Sequence, residues 1–226
     1  MTTNQVSPGK GEQEACEPGR ECPLCPRLVE FRHHHRIANP DFHNAPVPTW
    51  FPPVGPESVR MLIVGLAPGL KGANRTGRPF TGDWAGDLLY ETLVAHGFAK
   101  GQYQANPEDG LELSGCAITN AVRCVPPQNK PVGAEANACR PFLTNTIKSL
   151  PNLQVIVTLG KISHDNTLRA LGERVAAHPF CHHGIHRPAH LTIVSSYHCS
   201  RYNTNTGVLT TEMFDAVFGE VRGLVD

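Results

Sequence analysis

No excess of either charge marks this chain: 20 Lys and Arg stand against 20 Asp and Glu, for a formal net charge of zero. A global electrostatic pull on a polyanion is therefore excluded, and any nucleic-acid surface must be a local cluster. No stretch approaches the ~20 apolar residues that span a bilayer, which excludes a membrane-spanning helix. The first 20 residues lack the apolar core of a secretory signal, which points to a cytoplasmic protein. No internal repeat is visible. What the chain does hold is 12 histidines and eight cysteines. In a reducing compartment those cysteines point to metal ligands or core residues rather than disulfides. With 226 residues, 40% of them hydrophobic, the chain suits one compact domain that needs no cross-links.

Residues 1–20 are polar and have little to pack, so they predict a disordered tail ahead of a domain at 21–226. Leu24, Leu28 and Phe31 recur at helical spacing between Cys22 and Ile37, and Cys22 and Cys25 open that helix. Asn39 to Pro56 holds six prolines and reads as an irregular connector. Four short, β-branched, apolar runs follow at Met61–Leu66, Cys116–Val122, Gln154–Leu159 and Leu191–Ser195. Each has the pattern of a strand buried on both faces. Helical patterns lie at Trp84–His96, Ala134–Leu150, Ile162–Leu171 and Thr210–Val221, the last with Thr210 or Thr211 as N-cap. This alternation predicts an α/β fold: a single three-layer αβα domain around a central, mainly parallel four-stranded sheet. In such sheets the site lies at the carboxyl ends of the strands.

Cys22 and Cys25 form a C-x-x-C, and Cys124 and Cys139 form a second pair with fourteen residues between them. Four soft thiolates suit either zinc or an iron–sulfur cluster. Of the remaining cysteines, Cys116 reads as core and Cys16 as a free thiol in the tail. The run His33-His34-His35 reads as a solvent- or DNA-facing helix surface, and His182 to His186 as a solvated or DNA-facing loop.

The loop after the first strand begins Gly65-Leu66-Ala67-Pro68-Gly69 and runs on through Asn74, Phe80 and Asp83. Small residues there let a ligand approach the backbone closely. Phe80, an aromatic in a polar loop, can stack on a base, worth ~1–3 kcal/mol. The segments GLAPG and GANRTGRPFTGD resemble the first motif of the uracil-DNA glycosylase superfamily, closest to its iron–sulfur, type-b (fifth-family) branch. Thr119 to Pro127 resembles the strand with the base-reading asparagine, and Ser196 to Asn203 resembles the second motif. The four cysteines fall where that branch holds its cluster.

The resemblance implies a DNA-repair enzyme, acting as a monomer, that flips uracil and other deaminated bases out of DNA and hydrolyses the N-glycosidic bond. It implies a 4Fe-4S cluster on Cys22, Cys25, Cys124 and Cys139. The flipped base would rest among Gly65, Ala67, Phe80 and Asn120, with Asn120 reading its edge. His198 would donate to the departing base oxygen, and Asn74 would orient the water, with Asp83 as the alternative and more simply an N-cap. Gly69 would leave the pocket roomy enough for purines. Ser200, Arg201, Tyr202 and Asn203, on a loop, would enter the duplex. Two residues depart from the family pattern. Ala67 stands where the uracil-specific branch has a water-activating aspartate, and Cys199 stands where proline is common, which predicts a less rigid loop. The alanine leaves open a non-catalytic uracil- or DNA-binding protein of the same fold, and the cysteines alone would allow an electron carrier.

Overall fold

The computed structural model describes residues 17–188 and 190–225. The first half of the domain comprises α1 (Pro26–Ala38), β1 (Met61–Gly65), α2 (Ala73–Thr76), α3 (Trp84–Ala95), β2 (Ala99–Lys100), β3 (Glu112–Leu113) and β4 (Cys116–Asn120). The second half comprises α4 (Gly133–Lys148), β5 (Val155–Leu159), α5 (Lys161–Ala170), β6 (Gly184–His186), β7 (Thr192–Ser196), α6 (Arg201–Asn205) and α7 (Thr211–Val225). The main sheet runs β4-β1-β5-β7-β6. Strands β4, β1, β5 and β7 are the four expected, and all pair in parallel.

The sheet has five strands rather than the four predicted. The fifth, β6, pairs antiparallel along the free edge of β7. Its three residues, Gly184-Ile185-His186, contain one aliphatic side chain, so no hydrophobic period announces them. The expected loop at His182 to His186 is therefore partly strand, and His182 is stacked on Tyr197 at 4.9 Å rather than lying free in solvent. His35 also departs from expectation: it is buried and bonded to Asn39, while His33 and His34 are exposed.

Alternation along the strands sorts the core into two layers. Met61, Ile63 and Ile118 face α3 and α7, joining Leu89, Phe214 and Phe218. Leu62, Val64 and Ala117 face the other way, towards Leu143 of α4 and Leu168 of α5. Each large aliphatic side chain so enclosed contributes about 1.5–3 kcal/mol. Thr210 caps α7 by accepting from the Met213 N–H at 3.2 Å. Residues 1–16 of the expected tail, Cys16 among them, lie outside the described residues. Glu17, beyond them, reaches the domain and pairs with Arg123 at 3.0 Å. No helix among the described residues is long and apolar enough to cross a membrane.

Candidate active site and cysteine cluster

The parallel strands end at Gly65, Asn120, Leu159 and Ser196, and the loops leaving those ends build one groove. Gly65 and Asn120 are register partners on β1 and β4. A Cβ at Gly65 would collide with Asn120 Oδ1 and with the Phe80 ring, so only glycine lets those two side chains meet. Asn120 is buried, yet its amide has no hydrogen-bond partner among the described residues. A buried amide held without a protein partner is available to a ligand that offers a donor and an acceptor.

Phe80 has φ +53°, in the region an L residue rarely adopts. Its neighbours hold it there. The Pro79 carbonyl accepts from Tyr90 Oη, and the Phe80 carbonyl accepts from Tyr103 Oη at 3.3 Å. Arg78 is clamped by both oxygens of Asp109 at 2.8 Å and lies 4.6 Å over the Trp50 ring. The Phe80 ring faces His198, 5.9 Å away and 28° from parallel.

His198 follows β7 and lines the groove, with Nδ1 buried and unpartnered. Burial pulls its pKa from 6.5 down to about 4. The imidazole is therefore neutral at physiological pH and can donate a hydrogen bond without carrying charge. Cys199, expected to loosen this segment, instead anchors it: its side chain is wholly buried and its Sγ reaches the Ala85 carbonyl at 3.5 Å.

Ala67, Gly69 and Asp83 line the same groove. A Cβ on Gly69 would stand 2.9 Å from Asp83 Oδ2, so the glycine makes room for the carboxylate rather than only widening the pocket. Asp83 occupies the N-cap position of α3, yet its Oδ1 has no partner. Burial raises its pKa, and the nearby Gly86 and Ala85 N–H groups offset this only in part. Asn74, like Gly65, Phe80 and Asn120, is not among the residues that line the groove. It is wholly buried in α2, its Nδ2 donates to Asn44 Oδ1 at 2.9 Å, and its Oδ1 is unpartnered. Asn129, which the sequence reading passed over, does line it, with φ +56° in a proline-flanked turn.

Arg201 to Asn205 form a short helix, α6, where a loop was expected. Ser200 caps it, accepting from the Asn203 N–H at 3.4 Å. Arg201 and Tyr202 project outward at the groove mouth, Tyr202 with 74% of its surface exposed. Asn203 turns inward and donates to the His198 carbonyl at 2.8 Å. Trp84, also unforeseen, joins this rim, bonding Thr204 through its indole N–H at 3.0 Å with Arg201 5.4 Å over its ring.

The uracil-DNA glycosylase superfamily model matches residues 52–222, most of the domain just described. The chain belongs to that superfamily. It is 44% identical over 210 residues to a type-5 uracil-DNA glycosylase of Thermus thermophilus, covering 90% of this chain and 93% of the relative. A type-5 uracil-DNA glycosylase of Mycobacterium bovis is 37% identical over 90% of this chain and 78% of its own length. A type-4 uracil-DNA glycosylase of Pyrobaculum aerophilum matches more narrowly, at 36% over 54% of this chain.

The four cysteines gather apart from the groove, around one cavity between α1, the end of β4 and α4. Cys25 is the N-cap of α1 and Cys22 lies in the turn before it, so both precede the helix they were expected to open. Cys124 follows β4, and Cys139 projects from α4. Burial pushes the Cys25, Cys124 and Cys139 thiols up to about 11. Two donors already point at the sulfurs: the Arg123 N–H to Cys139 and the Arg32 guanidinium to Cys124, each at 3.3 Å.

Proposed function

We propose that the protein is an iron–sulfur uracil-DNA glycosylase that excises uracil, and deaminated purines with it, as a monomer acting on DNA in the cytoplasm. The observation that carries this reading is that Asn120 and Phe80 meet at Gly65 while the Phe80 ring faces His198: a pyrimidine-edge reader, a stacking surface and a neutral donor in sequence. The type-5 relatives support the same chemistry by their names.

Cleavage of the glycosidic bond leaves an oxocarbenium-like sugar and an anionic base. Asn120 holds the base edge, and the Phe80 ring stacks on its face. His198 donates to the base oxygen as negative charge develops, where a single placed donor is worth roughly 3–4 kcal/mol. Ala67 cannot activate water, so that task falls to another polar group. Asp83 is the groove-lining carboxylate with a free oxygen, which makes it a better water-orienting group than Asn74 behind it. Ala67 presents only a methyl group to the groove, which supports acceptance of purines. Arg201 and Tyr202 at the mouth suit contact with the duplex backbone and the gap left by the flipped nucleotide.

Cys22, Cys25, Cys124 and Cys139 would hold a 4Fe-4S cluster. They fit it: four thiols face one cavity, with N–H donors already directed at two of the sulfurs. Four thiol ligands suit either zinc or a 4Fe-4S cluster, and the resemblance to the iron–sulfur branch favours the cluster. When bound, the cluster would cross-link α1 to the body of the domain.

Incubation with a duplex holding one uracil opposite guanine, followed by alkali, tests the reading. Strand breaks are expected; a shifted but intact duplex would leave only binding. A parallel panel with hypoxanthine or xanthine tests purine acceptance, and complete rejection at high enzyme would limit the activity to uracil. Brown protein with about four irons per chain is expected; colourless protein with one zinc would refute the cluster.

A further inference from the structure

Arg32 is one of the largest fully enclosed side chains in the molecule, with 1% of its surface exposed. It lies two turns along α1 from Cys25 and lines the cysteine cavity. One guanidinium nitrogen donates to Cys124 Sγ at 3.3 Å, the other to the Cys22 carbonyl at 3.1 Å, and Nε has no partner. No carboxylate pairs with it among the described residues. The contrast with Arg123 is direct. Arg123 is equally buried and its Nε is likewise unpartnered, but Glu17 balances its charge at 3.0 Å and Thr49 and Thr146 accept from its two terminal nitrogens. A guanidinium cannot shed its proton, so a buried one without a counter-charge is strongly penalised. Its surroundings must supply an anion; Glu21 acts on it only through space, and among the described residues the anion-forming group bonded to it is the Cys124 sulfur.

We propose that Arg32 is the internal counter-ion of the iron–sulfur cluster and raises its reduction potential. This rests on the cluster assignment above. Four thiolates outweigh the positive charge of the iron–sulfide core, so the bound cluster is a net anion, and it becomes more negative when it gains an electron. A fixed cation and an N–H···S bond at a ligating sulfur stabilise the more negative state more. The sign holds for whichever redox couple the cluster uses. The bond to the Cys22 carbonyl ties the first ligand pair to the second, so the same side chain bridges both halves of the site.

The test uses the whole protein, purified without oxygen, as wild type, Arg32→Lys and Arg32→Met. Iron and sulfide content, circular dichroism, reduction potential by EPR-monitored titration, and the D2O sensitivity of the Fe–S(Cys) stretch by resonance Raman are read. The expected order of potentials is wild type highest, Arg32→Lys intermediate and Arg32→Met lowest, with the D2O shift at the Cys124 bond lost in both variants. Cluster loss from Arg32→Met alone, with the fold intact, also supports the counter-ion. Unchanged potentials at full iron content would overturn it. So would equal cluster loss from both variants, because charge would then be irrelevant and only the tie to Cys22 would matter. Absence of iron from the wild type would instead sink the cluster reading itself, which separates the two failures.

Discussion

Asn120 Oδ1 occupies the space that a Cβ on Gly65 would need, although the two residues sit on different strands and 55 positions apart in sequence. Gly65→Ala therefore displaces both the base-reading amide and the Phe80 ring. Overpacking of this kind costs about 1–3 kcal/mol of stability. The loss in single-turnover cleavage of a uracil duplex should exceed what the lowered melting temperature accounts for, because the enzyme stays folded while its base pocket shifts. Wild-type cleavage by a folded Gly65→Ala variant would show that the close approach has no role.

His198→Ala should lose about 100- to 1000-fold in single-turnover rate, more than Asn74→Ala, since Asn74 lies behind the groove. Substrate affinity should change little, with Phe80 and Asn120 still in place. The His198 pKa near 4 also sets a pH signature. Because the ring is neutral from pH 8 to about 5, the rate should show no limb near 6.5 from this residue. Stability behaves differently. The unfolded histidine takes up a proton near 6.5 and the folded one only near 4, so stability falls as pH drops through that window, and His198→Ala should flatten part of the fall. A rate larger for His198→Ala than for Asn74→Ala would return water orientation to Asn74 and put it ahead of leaving-group stabilisation.

The Arg78–Asp109 pair supports Phe80 from behind, and breaking it should act on fold and activity together. Both side chains are nearly inaccessible, and the bond is bidentate. Burial pushes the Asp109 pKa up, but the Arg78 hydrogen bonds and the Gln104 and Leu111 N–H groups outweigh it and hold the value at about 2. The folded value is depressed, so the stabilisation is present above the ordinary carboxylate pKa and is lost as pH falls from about 4 towards 2. Arg78→Ala should cost about 3 kcal/mol, by leaving Asp109 unpaired. Chemical denaturation measures this. An unchanged midpoint would mean that the loop holds Phe80 without the ion pair.

The four parallel strands were legible because each is a short run of apolar residues on both faces, and the helices between them carry apolar periodicity. What escaped was short, polar or defined by distance. β6 has no period to read, and α6 is one turn of Arg-Tyr-Asn-Thr-Asn whose helicity rests on the Ser200 cap and on Trp84 and His198 beside it. Gly65, Phe80, Asn120 and His198 were found through motifs, and the fold brings them together. Asn74 followed from the same motif but faces Asn44, because a four-residue helix fixes its direction, and no sequence spacing encodes that. Arg32 and Arg123 gave no signal at all. A buried arginine looks like any surface arginine on a helix until the sulfurs and Glu17 are placed around it.

Arg201 and Tyr202 divide the work at the groove mouth in ways that salt can separate. Arg201 is held over the Trp84 ring with its charge facing out, the geometry of a phosphate contact. Tyr202 is the single aromatic of α6, largely exposed and without charge, which suits stacking in the gap left by a flipped nucleotide. Arg201→Ala should weaken binding to uracil-containing and undamaged duplexes alike and reduce the slope of log affinity against log salt by about 0.9. Tyr202→Ala should leave that slope unchanged. It should instead lower the cleavage rate for uracil in a stable pair more than for uracil opposite guanine, because the mismatched base costs less to extrude. Fluorescence anisotropy across a salt series and single-turnover cleavage of the two duplexes make both comparisons. Identical salt slopes for wild type and Arg201→Ala would remove Arg201 from the phosphate contacts, and an equal rate loss on both duplexes would remove Tyr202 from the flipping step.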